Sequence, residues 1–513
     1  MDMSEALVLE SPDAQVISVK GSQYEVPEAA RHAVALLSDW TLVVVESYKT
    51  DHGVRAYERL LSGFGVKFER RFVNLEQFTN LQSGSLSKTA DKADVSKMQI
   101  RAIGLIKQCV KEGASDLHIL NYANRTVLKM RIHGLLFEKM ELNPEEGQAL
   151  CRCMYESMTD VAEPNYNDRE TQDGRLSRDF LKAAGLNGAR IATRPMEYGN
   201  LLVLRLLYGN MKKQKSLANL GYNARQIKAI QQMLRRRGIN IFSGVTGSGK
   251  STSLQVVLSM LLDLHHRLVN LLTVEQPLEY VIEGAVQTPL VVANMDDLSS
   301  ISEAWAKSIS NLMRLDPDYI MVGELRDLAS AIAGIHAALT GHPMWTTTHA
   351  RDGFATFDRL ADLGVPERRL ADAALFTGVI NQSLAPILCP ACKRPFKLHS
   401  KELAPDLCER VERFCIPSAV FVRGNKPDCE VCGGIGVVDR TVVAEVVLTS
   451  QKLLNIYRSP DGGSSAARTY WVKEMGGITK SQHLIHKINE GAVDPYLGEE
   501  AVCGLDEDLL TIG

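Results

Sequence analysis

No apolar run in the 513-residue sequence approaches the ~18–20 residues a helix needs to cross a bilayer, which excludes a transmembrane segment. The start, Met1-Asp2-Met3-Ser4-Glu5, lacks the basic end and apolar stretch of a secretory signal. A cytoplasmic protein is therefore expected, with any membrane association peripheral. Positive charge is not in excess. Lys and Arg number 58 against 61 Asp and Glu, a net charge of −3. That balance argues against a chain whose main task is coating nucleic acid, although a local basic patch stays open. No internal repeat or long low-complexity tract is present, which excludes a repeat array. Ten cysteines in a long cytosolic chain suggest thiols or metal ligands, not a disulfide framework.

What is present is ordinary globular material, 45% hydrophobic and 23% charged. At roughly 100–200 residues per domain, the length predicts three or four domains. Residues 1–80 read as a small α/β unit, with a β-rich run at Leu42–Val45 and a helix around Arg55–Leu61. The Ser-rich stretch Leu81–Asp91 reads as a flexible linker. Residues 95–208 mix a helix (Met98–Val110) with alternating strands such as Val127–Ile132. Gly209–Lys215 is short, polar and basic, and reads as a second linker. In 217–513 short β-branched runs alternate with helical segments, as in an open α/β sheet. The last ~60 residues read as mostly helical.

The segment Gly244-Val245-Thr246-Gly247-Ser248-Gly249-Lys250-Ser251 matches the phosphate loop G-x-x-x-x-G-K-[ST] at every fixed position. Glycines let backbone N–H groups turn toward phosphate oxygens, Lys250 adds charge at the β and γ phosphates, and Ser251 offers a hydroxyl to Mg²⁺. Ile239–Phe242 is a plausible strand before it. After it, Leu254, Val257, Leu258, Leu261 and Leu262 share one helical face. The helix dipole then points at the phosphates. Three more polar clusters follow apolar strand-like runs: Glu275 to Glu279, Gly323 to Asp327, and His349 after Thr348. Ligands bind at the carboxyl ends of strands in such sheets, so all four should meet at one edge. Carboxylates there could position Mg²⁺ and polarise water for ATP hydrolysis. Against this, Glu275 and Glu279 could be exposed loop acids, and His349 and His342 satisfied core histidines.

Cys389-Pro390-Ala391-Cys392 and Cys429-Glu430-Val431-Cys432 form two C-x-x-C knuckles separated by thirty-six residues. Four thiolates so paired suit tetrahedral structural Zn²⁺, with Gly433 and Gly434 allowing a tight knuckle. Four reduced thiols in a small core is the alternative. Cys408 and Cys415 are less well spaced. Cys109, Cys151, Cys153 and Cys503 read as buried thiols.

From Gly113 to Glu445 the sequence resembles the type II secretion and type IV pilus assembly ATPases. Gly244–Leu254 is similar to that family's Walker A segment and Thr273–Glu279 to its Asp box. Arg314–Asp327 is similar to its Walker B, and Thr340–His342 with Thr347–Ala350 to its His box. Ala114–His118 and Gln172–Arg175 resemble its second N-terminal domain. The resemblance implies a RecA-like P-loop NTPase domain at 217–513, with a tetracysteine insertion at about 386–445. A mixed α/β, PAS-like domain at 95–208 and a small N-terminal α/β docking module at 1–80 would precede it. It implies Glu324 as the catalytic glutamate, with Glu275 and Glu279 supporting Mg²⁺ and water. His349, with His342, would link the γ-phosphate to domain motion. Thr252 continues the nucleotide-binding segment. Arg190 and Arg205, with Arg194 a weaker candidate, would reach the phosphates from the second N-terminal domain; a surface or ion-paired arginine is the alternative for each. The tetracysteine element is a feature of the assembly branch and is lacking in the retraction branch.

By the same resemblance the chain would be a cytoplasmic homohexamer at the inner membrane. It would bind a polytopic platform protein and drive addition of pilin or pseudopilin subunits. Its cofactors would be ATP, Mg²⁺ and structural Zn²⁺, with no nucleic-acid partner. Departures are Gln276 for a usual Asp, Val245 for Pro, Ala329-Ser330 for Glu-Thr, and Ser383 for Arg. Other readings are a nucleotide-gated scaffold without turnover, a DNA-translocating motor and a retraction ATPase.

Overall fold

A computed structural model describes residues 16–18, 22–27, 30–74, 77–78, 89–160, 165–182, 184–208, 216–276, 278–292 and 297–512. The chain divides into two compact units, Met1–Arg101 and Ala102–Gly513. In the first, β1 (Val34–Leu36), β2 (Thr41–Val45) and β3 (Glu69–Val73) form a sheet in that order. Strand β1 runs antiparallel to β2, and β2 runs parallel to β3. The parallel step needs a crossover, and the helix His52–Gly63 supplies it. Asp51 caps that helix by accepting from the N–H groups of Gly53 and Val54. Val54, Tyr57 and Leu61 fall on one face and are buried with Val34, Leu36, Leu42 and Val44.

The expected linker Leu81–Asp91 divides. Its first eight residues lie outside the described ones, whereas Thr89, Ala90 and Asp91 begin the helix Thr89–Lys111. Ala90, Lys92 and Ala93 favour helix and Asp91 suits the N-terminal turn, and the helix extends upstream of the Met98 start read from the sequence. The second expected linker, Gly209–Lys215, lies outside the described residues.

The second unit contains a six-stranded antiparallel sheet. Its strands are β4 (Ala114–Tyr122), β5 (Thr126–Ile132), β6 (Leu135–Leu142), β7 (Gln172–Arg175), β8 (Leu186–Met196) and β9 (Gly199–Tyr208). The order is β6-β5-β4-β9-β8-β7. The first strand thus lies inside the sheet, with β5 and β6 on one side and β9, β8 and β7 on the other.

The larger sheet has seven strands in the order β12-β11-β13-β14-β10-β15-β18. These are β10 (Ile239–Ser243), β11 (Leu271–Glu275), β12 (Val286–Pro289), β13 (Tyr319–Val322), β14 (Met344–Thr348), β15 (Phe376–Leu388) and β18 (Val437–Leu448). All pairs are parallel except β15 with β18. Strands β10, β11 and β14 are buried along their whole length, because helices cover both faces of the sheet. Ile241, Val274, Ile320 and Met344 enter one core, and Phe242, Leu271, Met321 and Trp345 enter the other. That split follows the period of two along each strand.

Strands β15 and β18 pair as far as Leu388 and Val437. The chain between them forms a small module with β16 (Arg394–Pro395), β17 (Phe421–Val422) and the helix Pro405–Phe414. From Gln451 onward the chain is helical in five segments, Gln451–Arg458, Gly463–Lys473, Lys480–Asn489, Pro495–Ala501 and Glu507–Thr511.

Candidate nucleotide site

Parallel pairing of β11, β13, β14 and β10 brings their carboxyl ends to one edge. The phosphate loop leaves β10 there and enters the helix Lys250–Leu264. Gly244 and Gly249 have φ of 141° and 81°, where a side chain is strained. A Cβ on Gly244 would also lie 2.4 Å from the carbonyl oxygen of Gln382. Val245, Thr246 and Gly247 are exposed, while the Ser248 hydroxyl is buried and has no hydrogen-bond partner among the described residues. Ser251 and Thr252 lie in the helix's first turn, and Thr252 Oγ1 donates to Tyr280 Oη at 3.1 Å.

The Lys250 ammonium donates to the carbonyls of Gly244 and Val245, at 2.7 and 3.0 Å. Desolvation pushes its pKa down, and the charges of Glu324 and Glu279 oppose that shift. Glu324 follows β13 and is held from two sides. Arg326 Nε lies 2.8 Å from one carboxylate oxygen and His349 Nε2 3.3 Å from the other. Glu275 ends β11 and accepts from Thr273 Oγ1 (2.7 Å) and Gln287 Nε2 (2.9 Å). Burial raises its pKa, the two donors lower it, and the Glu279 charge adds to the rise. Glu279 is half-buried on the loop after β11.

The six-stranded sheet contributes a row of charge. Strand register aligns Arg131, Asp116, Arg205, Arg190 and Arg175 across β5, β4, β9, β8 and β7. Residues opposite one another share a face. Asp116 anchors the row by accepting from Arg205 Nε at 2.9 Å. Arg190 is pushed down by desolvation, countered by Glu279 and reinforced by Arg175, Arg205 and Arg326. Arg190 therefore lies in the field of Glu279 and Arg326, on the larger sheet's loops. Arg194 is exposed, four residues further along β8 on the same face.

His342 is placed elsewhere. It precedes β14, at the amino edge of the sheet, and its Nδ1 lies 3.1 Å from Thr340 Oγ1. Strand β14 separates it from His349, so the chain does not bring His342 to the phosphate loop. Four contributors were not singled out from the sequence. Gln382, fully buried on β15, donates from Nε2 to the Ser248 carbonyl at 2.7 Å, and Tyr222 Oη donates to its Oε1. Arg440 of β18 is pushed down by desolvation and countered by Asp439, Tyr280 and Asp116. Arg175 was noticed only as part of a short motif. Their roles depend on strand register, which local sequence does not display.

The four cysteines Cys389, Cys392, Cys429 and Cys432 converge, with every Sγ within 4.8 Å of the others. The pairs Cys389–Cys429 and Cys392–Cys432 stand at 3.8 and 3.6 Å. A tetrahedral Zn–S4 centre with bonds of ~2.3 Å has S–S edges of about 3.8 Å, so the thiols fit such an ion. Backbone N–H groups of Cys432 and Val431 bring the Cys429 pKa down to about 7, and the Gly436 N–H donates to Cys432 Sγ at 3.2 Å. Gly433 and Gly434 take φ of 58° and 85°. Cys408 and Cys415 stand outside the cluster. Cys109, Cys151 and Cys153 are buried, whereas Cys503 is half-buried near the chain's end, contrary to expectation.

The family described as Type II/IV secretion system protein matches residues 90–494. Type II secretion system protein E of Pseudomonas aeruginosa is 32% identical over 390 residues, covering 75% of this chain and 72% of that protein. Type IV pilus assembly ATPase PilB of Myxococcus xanthus is 30% identical over 408 residues, covering 79% of this chain and 66% of that protein. The ATPase DotB of Legionella pneumophila superposes with a TM-score of 0.50 at 20% identity, covering 76% of this chain and 92% of DotB. That last likeness bears on the fold alone, which is RecA-like.

Proposed function

This chain belongs to the type II/IV secretion system protein family, and we propose that it is an ATP-hydrolysing motor driving assembly of a type IV pilus or type II pseudopilus. The observation that carries the reading is geometric. The phosphate loop with Lys250, the buried Glu275 and the Glu324–His349 pair lie at the carboxyl edge of one parallel sheet. The charges of Glu324 and Glu279 oppose the downward pKa shift of Lys250, as that of Glu279 does for Arg190. Acids, loop lysine and a second-sheet arginine thus bear on one small region.

Lys250 and the loop N–H groups would hold the phosphates, and Ser251 would hold Mg²⁺, which neutralises charge on the β- and γ-phosphoryl oxygens. Glu324 is the base that orients and polarises water, with Glu275 and Glu279 supporting it. His349 senses the γ-phosphate through its contact with Glu324. Arg190 and Arg205, with Arg194 as a weaker third, stabilise transition-state charge and couple the two sheets' relative orientation to nucleotide. Cys389, Cys392, Cys429 and Cys432 would hold a structural Zn²⁺ ion, which would tie together the module between β15 and β18. The working form is a cytoplasmic homohexamer against the inner membrane, engaging a platform protein and, through it, pilin or pseudopilin. The domain limits read from sequence, with 1–80 as docking module, are part of this proposal.

The test is phosphate release from Mg-ATP by the full chain. Glu324→Gln should retain nucleotide and lose turnover; full activity in that variant would sink the assignment. A nucleotide-gated scaffold is the second reading, favoured by Gln276 beside the buried Glu275, and no release by the wild-type hexamer would select it. Stimulation of turnover by DNA would select a translocating motor instead. The four-cysteine cluster favours assembly over retraction.

A further inference from the structure

We propose that Glu445 and Lys480 are positioning residues for the candidate active site, holding His349 against Glu324 through the four residues that follow His349. The proposal rests on the hydrolytic reading above. His349 carries half-exposed side-chain surface, 48%, so its own packing does not fix it. Its position is set by the backbone on either side. Upstream, Thr348 is the last residue of β14, and its Oγ1 donates to the Leu325 carbonyl at 3.3 Å. Downstream, three buried side chains grip the backbone. Asn381 Nδ2 donates to the Ala350 carbonyl at 3.0 Å, the Lys480 ammonium donates to the Arg351 carbonyl, and Glu445 Oε2 accepts from the Gly353 N–H at 3.0 Å.

These grips come from three separate elements: β15, the helix Lys480–Asn489 and β18. They are joined to one another. Glu445 is fully buried, and its Oε1 accepts from Arg468 Nη2 at 2.7 Å and from the Lys480 N–H at 3.2 Å. A buried carboxylate is tolerated only when its lone pairs are taken, and here each acceptor bond ties a different segment. Arg468 belongs to the helix Gly463–Lys473, so two C-terminal helices bear on the loop after His349. The C-terminal helices, which carry no readable motif, thereby set the environment of Glu324.

The experiment uses the full chain. Glu445→Gln and Lys480→Met should each lower kcat on the order of 10-fold while leaving the KM for ATP within about twofold. Because both act through His349, adding either to His349→Ala should cost nothing further, whereas a purely structural role gives multiplicative losses. Hydrogen exchange supplies a readout that needs no turnover. The peptide covering Ala350–Phe354 should exchange faster in both variants, with the β11 peptide unchanged. Multiplicative losses with His349→Ala, or unaltered exchange at Ala350–Phe354, would overturn the proposal. Lys480→Met keeps the buried Glu445–Arg468 pair, so it tests the idea even where Glu445→Gln melts early. If wild-type chain releases no phosphate, the hydrolytic reading fails by itself, and exchange still decides the positioning.

Discussion

The phosphate-loop edge and the cysteine module are the two places where this fold gathers ligand-type groups, and they do so in opposite ways. In the module the four Sγ atoms already stand within 4.8 Å of one another, and backbone N–H groups point at the sulfurs. The arrangement is closed and fits one ion at one geometry. At the loop edge the groups are engaged with replaceable partners. Lys250 rests on carbonyls of its own loop, Glu324 is shared between Arg326 and His349, and the Ser248 hydroxyl has no partner among the described residues. A structural metal site is useful when it cannot rearrange. A phosphate site that must bind, react and release needs contacts that exchange at low cost.

The largest break in this comparison should come from Lys250→Ala. Loss of the ammonium removes charge compensation at the β and γ phosphates, and turnover should fall by ~1,000-fold or more. Bound zinc, read by metal analysis, should be unchanged, since the two sites share no residue. Equal zinc loss in that variant would show that the module depends on the loop. The converse variant is Cys429→Ser. It should abolish zinc retention and destabilise the chain by several kcal/mol, measured as a lowered Tm, because metal binding free energy is folding free energy. Nucleotide binding should survive at temperatures where the variant is folded.

A third, smaller effect tests whether the loop edge reaches beyond its own sheet. Burial pushes the Arg190 pKa down, the Glu279 charge opposes that shift and the Arg326 charge adds to it. Arg190→Ala should lower kcat on the order of 10–100-fold with a modest change in KM. Arg190→Lys should recover only part of it, because an ammonium lacks the planar fork that meets a phosphate in two places. Full activity in Arg190→Ala would confine the machinery to the larger sheet.

The loop edge was far more legible in the sequence than what supports it, for a physical reason. Phosphate binding needs glycines, a lysine and a hydroxyl at fixed local spacing, so Gly244–Ser251 announces itself. Strands β13 and β14 are short buried runs, and the polar residues after them fall at the carboxyl edge by parallel topology alone. The two C-x-x-C pairs are local as well. By contrast, the charge row from Arg131 to Arg175 exists only through antiparallel register across five strands. Local sequence does not fix that register. His342 was grouped with His349 through the resemblance to the family's His box, and the two flank opposite ends of β14. Its distance from the loop follows from the strand's length, which puts the two histidines on opposite edges. The Thr89–Asp91 segment was read as linker because a polar, Ser-rich run precedes it, while Ala90 favours helix and Asp91 suits a helix's first turn.

The smallest expected effect concerns Tyr222, whose apolar-looking neighbourhood concealed a polar task. Tyr222 is 3% exposed and donates to Gln382 Oε1, while Gln382 Nε2 donates to the Ser248 carbonyl of the phosphate loop. The phenol therefore orients an amide that orients the loop. Tyr222→Phe leaves the buried Oε1 unpaired, which costs about 1–3 kcal/mol. Part of that cost should appear as lowered Tm. Part should appear at the site, as a roughly fivefold weaker nucleotide affinity with kcat little changed. Tyr222→Phe combined with Gln382→Leu separates the two. The double variant removes the buried amide oxygen and should recover part of the Tm, but it takes the Gln382 donor from the Ser248 carbonyl and should keep the weakened affinity. If affinity recovers together with Tm, the amide is packing alone, and the loop edge holds its shape without help from the strand beside it.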